Sequence, residues 1–245
     1  MSLVRRWVHL PVPIPSARGV AAGAALGAVA SLPLLRGWAM TAGASDAELV
    51  AAMPGDDVLP GAQVEATRGI TILARPQSVW PWLVQLGHGR GGFYSFDRLE
   101  NAVGLDIRSA ERIEERCQGL TVGGRVHLAP EVTLRAVVVQ APRALVLRSH
   151  EAPGSRPAPF EFTWAFQLVP RPDGSTRLVV RERYERPARS AALVEVMQAA
   201  STVMTIGMLR GIRRRAEAQL PDASAPADTP AEDRDARTGK DGTTS

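Results

Sequence analysis

Between Phe160 and Leu168 the sequence reads FEFTWAFQL, and every second residue is large and apolar. In a strand this puts Phe160, Phe162, Trp164, Phe166 and Leu168 on one face and Glu161, Thr163 and Gln167 on the other, so one face meets something apolar. Alternation of this kind recurs in Thr121–Leu128, Glu131–Gln140, Ala144–His150 and Thr176–Glu185. Turn signals separate the segments: Gly123-Gly124, Ala141-Pro142 and Pro172-Asp173-Gly174. Five strands with short connections predict an antiparallel meander, since parallel strands would need long crossovers. In the last of them Leu178, Val180, Glu182 and Tyr184 share a face, so an acid and a phenol interrupt the apolar side. A mostly apolar surface with a few polar groups is the mix that lines a ligand cavity.

The period then changes. From about Ser190 to Gln219, the residues Leu193, Val196, Met197, Ala200, Met204, Met208 and Gly211 recur at helical spacing and predict one long amphipathic helix. Its methionines supply a soft, adaptable wall if they are more than core. Arg210, Arg213, Arg214 and Arg215 gather at its C-terminal end, where the macrodipole favours cations.

Ahead of the strands, Ser45-Asp-Ala-Glu48 reads as a capping box opening a short helix to about Met53. Val64–Leu73 reads as a first strand. Ser78 is expected to cap a helix with Pro81 in its first turn, ended by Gly87. Ser95 and Ser109 are expected to cap two further helices, ended by Gly104 and near Gly119.

Outside residues 45–220 the character differs. Residues 1–44 carry Arg5, Arg6, Arg18 and Arg36 without an acid, and Gly19–Leu35 runs 17 residues without a charge. As a helix that run would reach roughly 25 Å, against roughly 30 Å of bilayer core. Three readings stay open for it: a weak membrane anchor, a cleaved export signal, or an Ala-rich helix on the domain; the protein is accordingly expected to be membrane-associated or cytoplasmic. Residues 221–245 hold no aromatic or large aliphatic residue and are expected to be a disordered tail.

The formal charge of +4 comes almost wholly from arginine, spread without a dense basic face, which argues against a nucleic-acid partner. One cysteine, Cys117, excludes an intramolecular disulfide. His9, His88, His127 and His150 have no ligand spacing, so neither a metal nor another cofactor is expected. The oligomeric state is not set by any of this.

Ile72-Leu-Ala-Arg-Pro-Gln-Ser-Val79-Trp80, followed by the Trp80–Asn101 stretch and AERI, resembles the opening of the SRPBCC (START-like) superfamily, and within it an uncharacterised bacterial subgroup of polyketide cyclase/dehydratase relatives. The resemblance implies an α+β helix-grip fold, a curved antiparallel sheet wrapped around the long C-terminal helix with an apolar cavity between them. It says little about chemistry, because one fold serves many activities. The leading expectation is binding of a hydrophobic small molecule, lipid or polyketide-like, lined by Tyr94, Phe162, Trp164, Phe166, Glu182, Tyr184, Met197 and Met204, with membrane contact through residues 19–35. A cyclase or dehydratase would instead use His88, Glu182 and Tyr184. A non-ligand interaction domain with a filled core is the third expectation.

The stretch WPWLVQLGHGRGGFYSFDRLEN admits several roles. A phosphate cradle lacks the following Lys-Ser/Thr. A catalytic loop would use His88, Arg90, Tyr94 or Asp97. A lid explains the most residues: glycines turn the chain, Phe93, Tyr94 and Phe96 plug the mouth of the grip, and Arg90 pairs with Asp97 or Glu100. Pure packing, with no accessible cavity, is the remaining reading.

Overall fold

A computed structural model of the chain describes residues 36–97, 101, 108–130, 132–149, 161–185 and 191–219, side chains 191–193, 196 and 197 excepted. The apolar run 19–35, the tail 221–245 and most of the segment expected to be capped by Ser95 lie outside the described residues.

Helix α1 (Asp46–Val50) leads to strand β1 (Val64–Ile72) and helix α2 (Pro76–Val84). After a long connection come β2 (Arg125–Ala129), β3 (Val132–Gln140), β4 (Ala144–Ser149), β5 (Phe162–Pro170) and β6 (Thr176–Tyr184), then helix α3 (Ala191–Ala218). The six strands form one antiparallel sheet in the order β1-β6-β5-β4-β3-β2, in which β2 to β6 are the expected meander and β1 closes on its last strand. Register shifts in β2 at His127/Ala129 and in β3 at Ala136/Val138 interrupt the ladder, and such bulges add twist and bend. The curved sheet holds α3 on its inner face, which is the helix-grip architecture.

That inner face carries the core. Leu134, Ala136, Leu145, Leu147, Trp164, Phe166, Leu178 and Val180 meet Trp82, Leu83, Met208, Leu209 and Ile212 in one buried cluster. A smaller cluster sits on the outer face, where Met53 covers Val146, Ala165 and Val179. Arginines of β6 fasten this cover: Arg177 Nε is 2.7 Å from Glu48 Oε1, and Arg181 Nη1 is 2.8 Å from Asp56 Oδ2 and 3.0 Å from the Ala51 carbonyl.

The Ser45 capping box forms as expected, with both reciprocal bonds in place. Other local expectations are overturned. The N-cap of α2 is Arg75, not Ser78, because Pro76 takes the first helical position where its missing N–H costs nothing. Pro81 therefore falls inside the helix, which is tolerable because exposed Gln77 leaves to water the carbonyl that Pro81 cannot pair. Ser109 caps no helix: only a 3₁₀ turn at Glu115–Cys117 follows, and the Ser109 hydroxyl is engaged elsewhere.

The buried stripe of α3 also differs from the apolar one. Val194, Gln198, Thr202, Thr205, Met208, Leu209, Ile212 and Ala216 are buried, whereas Ala200 is exposed and Met204 half-buried. Three polar side chains have displaced apolar ones from the inward face, and the reason lies in β1 and β6. No helix among the described residues is long and apolar enough to cross a membrane.

Candidate functional site

Arg68 and Glu182 are both 0% exposed, two charges buried inside the grip. The register explains how they meet. Ala66 stands directly opposite Glu182, and its small side chain leaves room for Arg68, two residues along the same face, to reach diagonally. Arg68 Nη1 lies 3.2 Å from Glu182 Oε1, without the alignment of a true hydrogen bond. The attraction is therefore chiefly that of charge.

Burying such a pair is costly unless the remaining lone pairs and protons are satisfied. α3 supplies the partners. Thr205 Oγ1 donates to Glu182 Oε1 at 2.6 Å and Ser201 Oγ to Oε2 at 2.8 Å, while Tyr184 donates to Oε2 at 3.1 Å. On the cation, Nη2 donates to Thr202 Oγ1 at 2.7 Å and Nε to the Ala39 carbonyl at 2.9 Å. Burial, and then the neighbouring Glu182 charge, push the Tyr184 phenol well above its ordinary pKa, so it remains a proton donor.

The aromatic ladder of β5 lies alongside in fixed rows. Phe162 pairs with Tyr184, Trp164 with Glu182 and Phe166 with Val180. The rings of Phe162 and Tyr184 are 4.7 Å apart and those of Trp164 and Phe166 4.9 Å apart. Two buried donors nearby have no hydrogen-bond partner among the described residues: Trp164 Nε1 on β5, and Gln198 Nε2 one turn before Ser201 on α3. Phe162, Trp164, Glu182 and Tyr184 thus form one group with Arg68, Gln198, Ser201, Thr202 and Thr205, which the apolar stripe did not reveal. The available signal was polar: Gln198, Thr202 and Thr205 repeat in phase with Val194 and Met208.

Other expected residues lie elsewhere. Tyr94 sits against Gly211, six residues beyond Thr205, or about 9 Å farther along α3. Its hydroxyl donates to the Trp82 carbonyl at 3.1 Å, its ring meets Trp82 edge-on at 5.6 Å, and the Arg215 guanidinium lies 4.9 Å above it. Burial raises its pKa as well. Met204 is half-buried, and the Met197 side chain lies outside the described residues. His88 is held at the far edge of the sheet by its N–H to the His127 carbonyl of β2, whereas Glu182 and Tyr184 lie on β6 with three strands between. The structure does not bring these three together.

The Trp80–Asn101 stretch turns at Gly87 and Gly92, which close on each other as an isolated bridge. Phe93 and Tyr94 are buried as plugs, and Phe93 reaches Trp164 at 6.4 Å, but Phe96 is 45% exposed. Arg90 does not pair with Asp97: it donates to the carbonyls of Val84 and Cys117, each at 2.7 Å. Asp97 instead accepts from Ser109, whose hydroxyl also receives the Tyr94 N–H. Tyr94 has a φ of +58°, a strained left-handed conformation held by these contacts. Gly207 and Gly211 of α3 make the seat, since a Cβ at Gly211 would lie 1.9 Å from the Tyr94 carbonyl oxygen.

Among the clefts of the described residues, one of about 270 Å³ is lined by Tyr94, Ser95, Phe96, Asp97, Ser109 and the Arg214-Arg215 pair. Another, of about 360 Å³, lies between the start of α2 and the turns after β3 and β5. Neither includes the Arg68–Glu182 group.

No protein-family model and no curated protein matches the chain. Among solved structures, it is similar to the Zhui aromatase/cyclase from Streptomyces sp. R1128 at 17% identity, over 66% of this chain and 98% of that one, with a TM-score of 0.40. Norcoclaurine synthase from Thalictrum flavum, solved with dopamine and hydroxybenzaldehyde, is similar at 11% identity over 71% and 98% of the two chains, with a TM-score of 0.41. A polyketide-cyclase-like protein from Corynebacterium glutamicum is similar at 14% identity over 61% and 89%, with a TM-score of 0.37. Strand order and the position of α3, rather than these distant likenesses, carry the fold assignment.

Proposed function

We propose that this chain, whose fold is the helix grip of the SRPBCC, polyketide-cyclase-like kind, binds a hydrophobic small molecule bearing a carbonyl or hydroxyl group between β5, β6 and the N-terminal half of α3. One observation carries the reading. Trp164 Nε1 and Gln198 Nε2 are buried donors without a partner among the described residues, on the two elements that flank Glu182. An unmade buried hydrogen bond costs about 1–3 kcal/mol, and an acceptor on a bound molecule would recover it. Phe162 and Phe166 offer the apolar wall, and contact of residues 19–35 with a lipid surface belongs to the same reading.

Catalysis by Glu182 is less well supported. Both carboxylate oxygens already receive hydroxyl donors, so a substrate would first have to displace Ser201 or Thr205. A cyclase or dehydratase remains the second reading because Tyr184 is a buried acid in contact with a carboxylate. A pH–rate profile abolished by Glu182→Gln would favour it.

The test is uptake of a fluorescent fatty-acid analogue, together with native mass spectrometry of protein purified from its host. Trp164→Phe removes the indole N–H while keeping an aromatic ring, and Gln198→Leu removes the amide. Each is expected to weaken binding about fivefold, the worth of one net hydrogen bond. Protein that is empty from its host and takes up no analogue would support a non-ligand interaction domain instead.

A further inference from the structure

The chain enters the described fold beside the buried ion pair. Arg36 forms an ion pair with Glu195 of α3, and its Nη2 lies 3.4 Å from Gln198 Oε1. Three residues later the Ala39 carbonyl accepts from Arg68 Nε itself, and the Ala42 carbonyl accepts from Gly69 N–H at 3.2 Å. At Gly43, with φ +71°, a Cβ would lie 2.3 Å from the Gly69 carbonyl oxygen, so the backbone is seated flush on β1. Residues 36–43 are thus a strap without slack.

The strap and its neighbourhood have the features of a lipid-facing surface. Trp38 is 62% exposed, three residues after an uncharged run bracketed by Arg18 and Arg36. Aromatic and basic residues in that order suit a headgroup layer. Beside the strap, the outward face of α3 shows Ala199 and Val203 and then, farther on, Arg210, Arg213 and Arg214, all exposed. At 3.6 residues per turn these five lie within about 100° of arc, together with Glu195 and Glu217, whose carboxylates are taken up by Arg36 and by the Leu73 N–H. Small apolar residues followed by cations suit an anionic bilayer, where each arginine near the surface adds attraction.

We propose that residues 19–35 enter a lipid bilayer and seat the domain with Trp38 in the headgroup layer and the outward face of α3 along the surface. The end of the grip holding Gln198, Trp164 and the Arg68–Glu182 pair then lies next to the lipid. Its ligand is an amphiphile exchanged with that bilayer. The identity of the cargo and the lipid contact of residues 19–35 rest on the reading above; the orientation through Trp38 and α3 does not.

The full chain is mixed with vesicles of equal parts phosphatidylcholine and phosphatidylglycerol, with and without brominated acyl chains, and floated. Ala199→Cys and Val50→Cys variants carry bimane; buried Cys117 sets the labelling background in the unsubstituted protein. Val50 is 86% exposed on α1, across the sheet from α3. The expected result is flotation, with bromine quenching at position 199 and none at position 50. Trp38→Ser is expected to lower partitioning about tenfold, the worth of one large apolar side chain withdrawn from lipid.

A chain that does not float, as when residues 19–35 fold back on α3 instead, overturns the docking. Equal quenching at both positions overturns the orientation. Uptake of the fluorescent fatty-acid analogue without vesicles reports the cargo separately. Flotation without uptake refutes the exchange alone, and uptake without flotation refutes the docking alone.

Discussion

Removing either member of the buried ion pair should cost far more than removing both. In Arg68→Met, Glu182 keeps its three hydroxyl donors at 2.6, 2.8 and 3.1 Å but loses the cation it pairs with among the described residues, so its charge is only partly compensated. In Glu182→Leu, Arg68 keeps the Ala39 carbonyl and Thr202 but has no counter-charge. Breaking a buried pair from one side costs about 3–5 kcal/mol, whereas replacing both members with apolar residues of similar volume is often near neutral. We expect about 3 kcal/mol for Arg68→Met, where the hydroxyls soften the loss, and about 4 kcal/mol for Glu182→Leu. The double variant should fall short of their sum by at least about 2 kcal/mol. Urea unfolding at neutral pH, followed by circular dichroism and tryptophan fluorescence, gives all three values from the midpoints if the slopes agree. The reasoning is refuted if either single substitution costs less than about 1 kcal/mol, or if the double is additive within about 0.5 kcal/mol.

Gly211→Ala should destabilise by about 2 kcal/mol or more, because the new methyl would collide with the Tyr94 backbone; an unchanged urea midpoint would show that the loop does not rest on α3. Glu48, held at a pKa of about 2 chiefly by its hydrogen bonds from Arg177, contributes stability that is present above its unfolded value and lost as pH falls through that value toward 2. Because the pair is partly exposed, Glu48→Gln should cost only about 1 kcal/mol at neutral pH and the difference should vanish in acid, read from urea midpoints across pH. The two tyrosines of the chain, Tyr94 and Tyr184, both have raised pKa values. Tyrosinate absorbance should therefore not rise near pH 10 in the native protein, and native stability should be full below that value and fall above it. Ordinary ionisation of either tyrosine without unfolding would contradict its burial.

Most of the secondary structure was legible because it follows from local periodicity. The alternation in β5 and β6 assigns their inner faces correctly, since one face of a strand is decided by counting in twos. The capping box likewise needs only residues three apart. The candidate site was legible in part: Glu182 and Tyr184 stand out as polar interruptions of an apolar face. Their partners do not stand out. Thr202 is an ordinary helix residue until Arg68, 134 positions earlier, turns out to need an acceptor. Apolar spacing on α3 therefore points to Ala200 as buried and passes over Gln198, whereas Gln198 is buried and Ala200 exposed. Arg90 departs from the expected ion pair for a similar reason, since carbonyls freed at the end of α2 and in the Glu115–Cys117 turn compete with carboxylates for its guanidinium.

By itself the amino-acid order determined that strands would alternate and a long helix would follow, because each of these is a matter of spacing along one segment. Only the tertiary structure decided which charges would be buried together and which hydroxyls would answer them. A buried ion must find its partners in space, and the sheet register, the strap at 36–43 and the rotation of α3 are what bring those partners within reach.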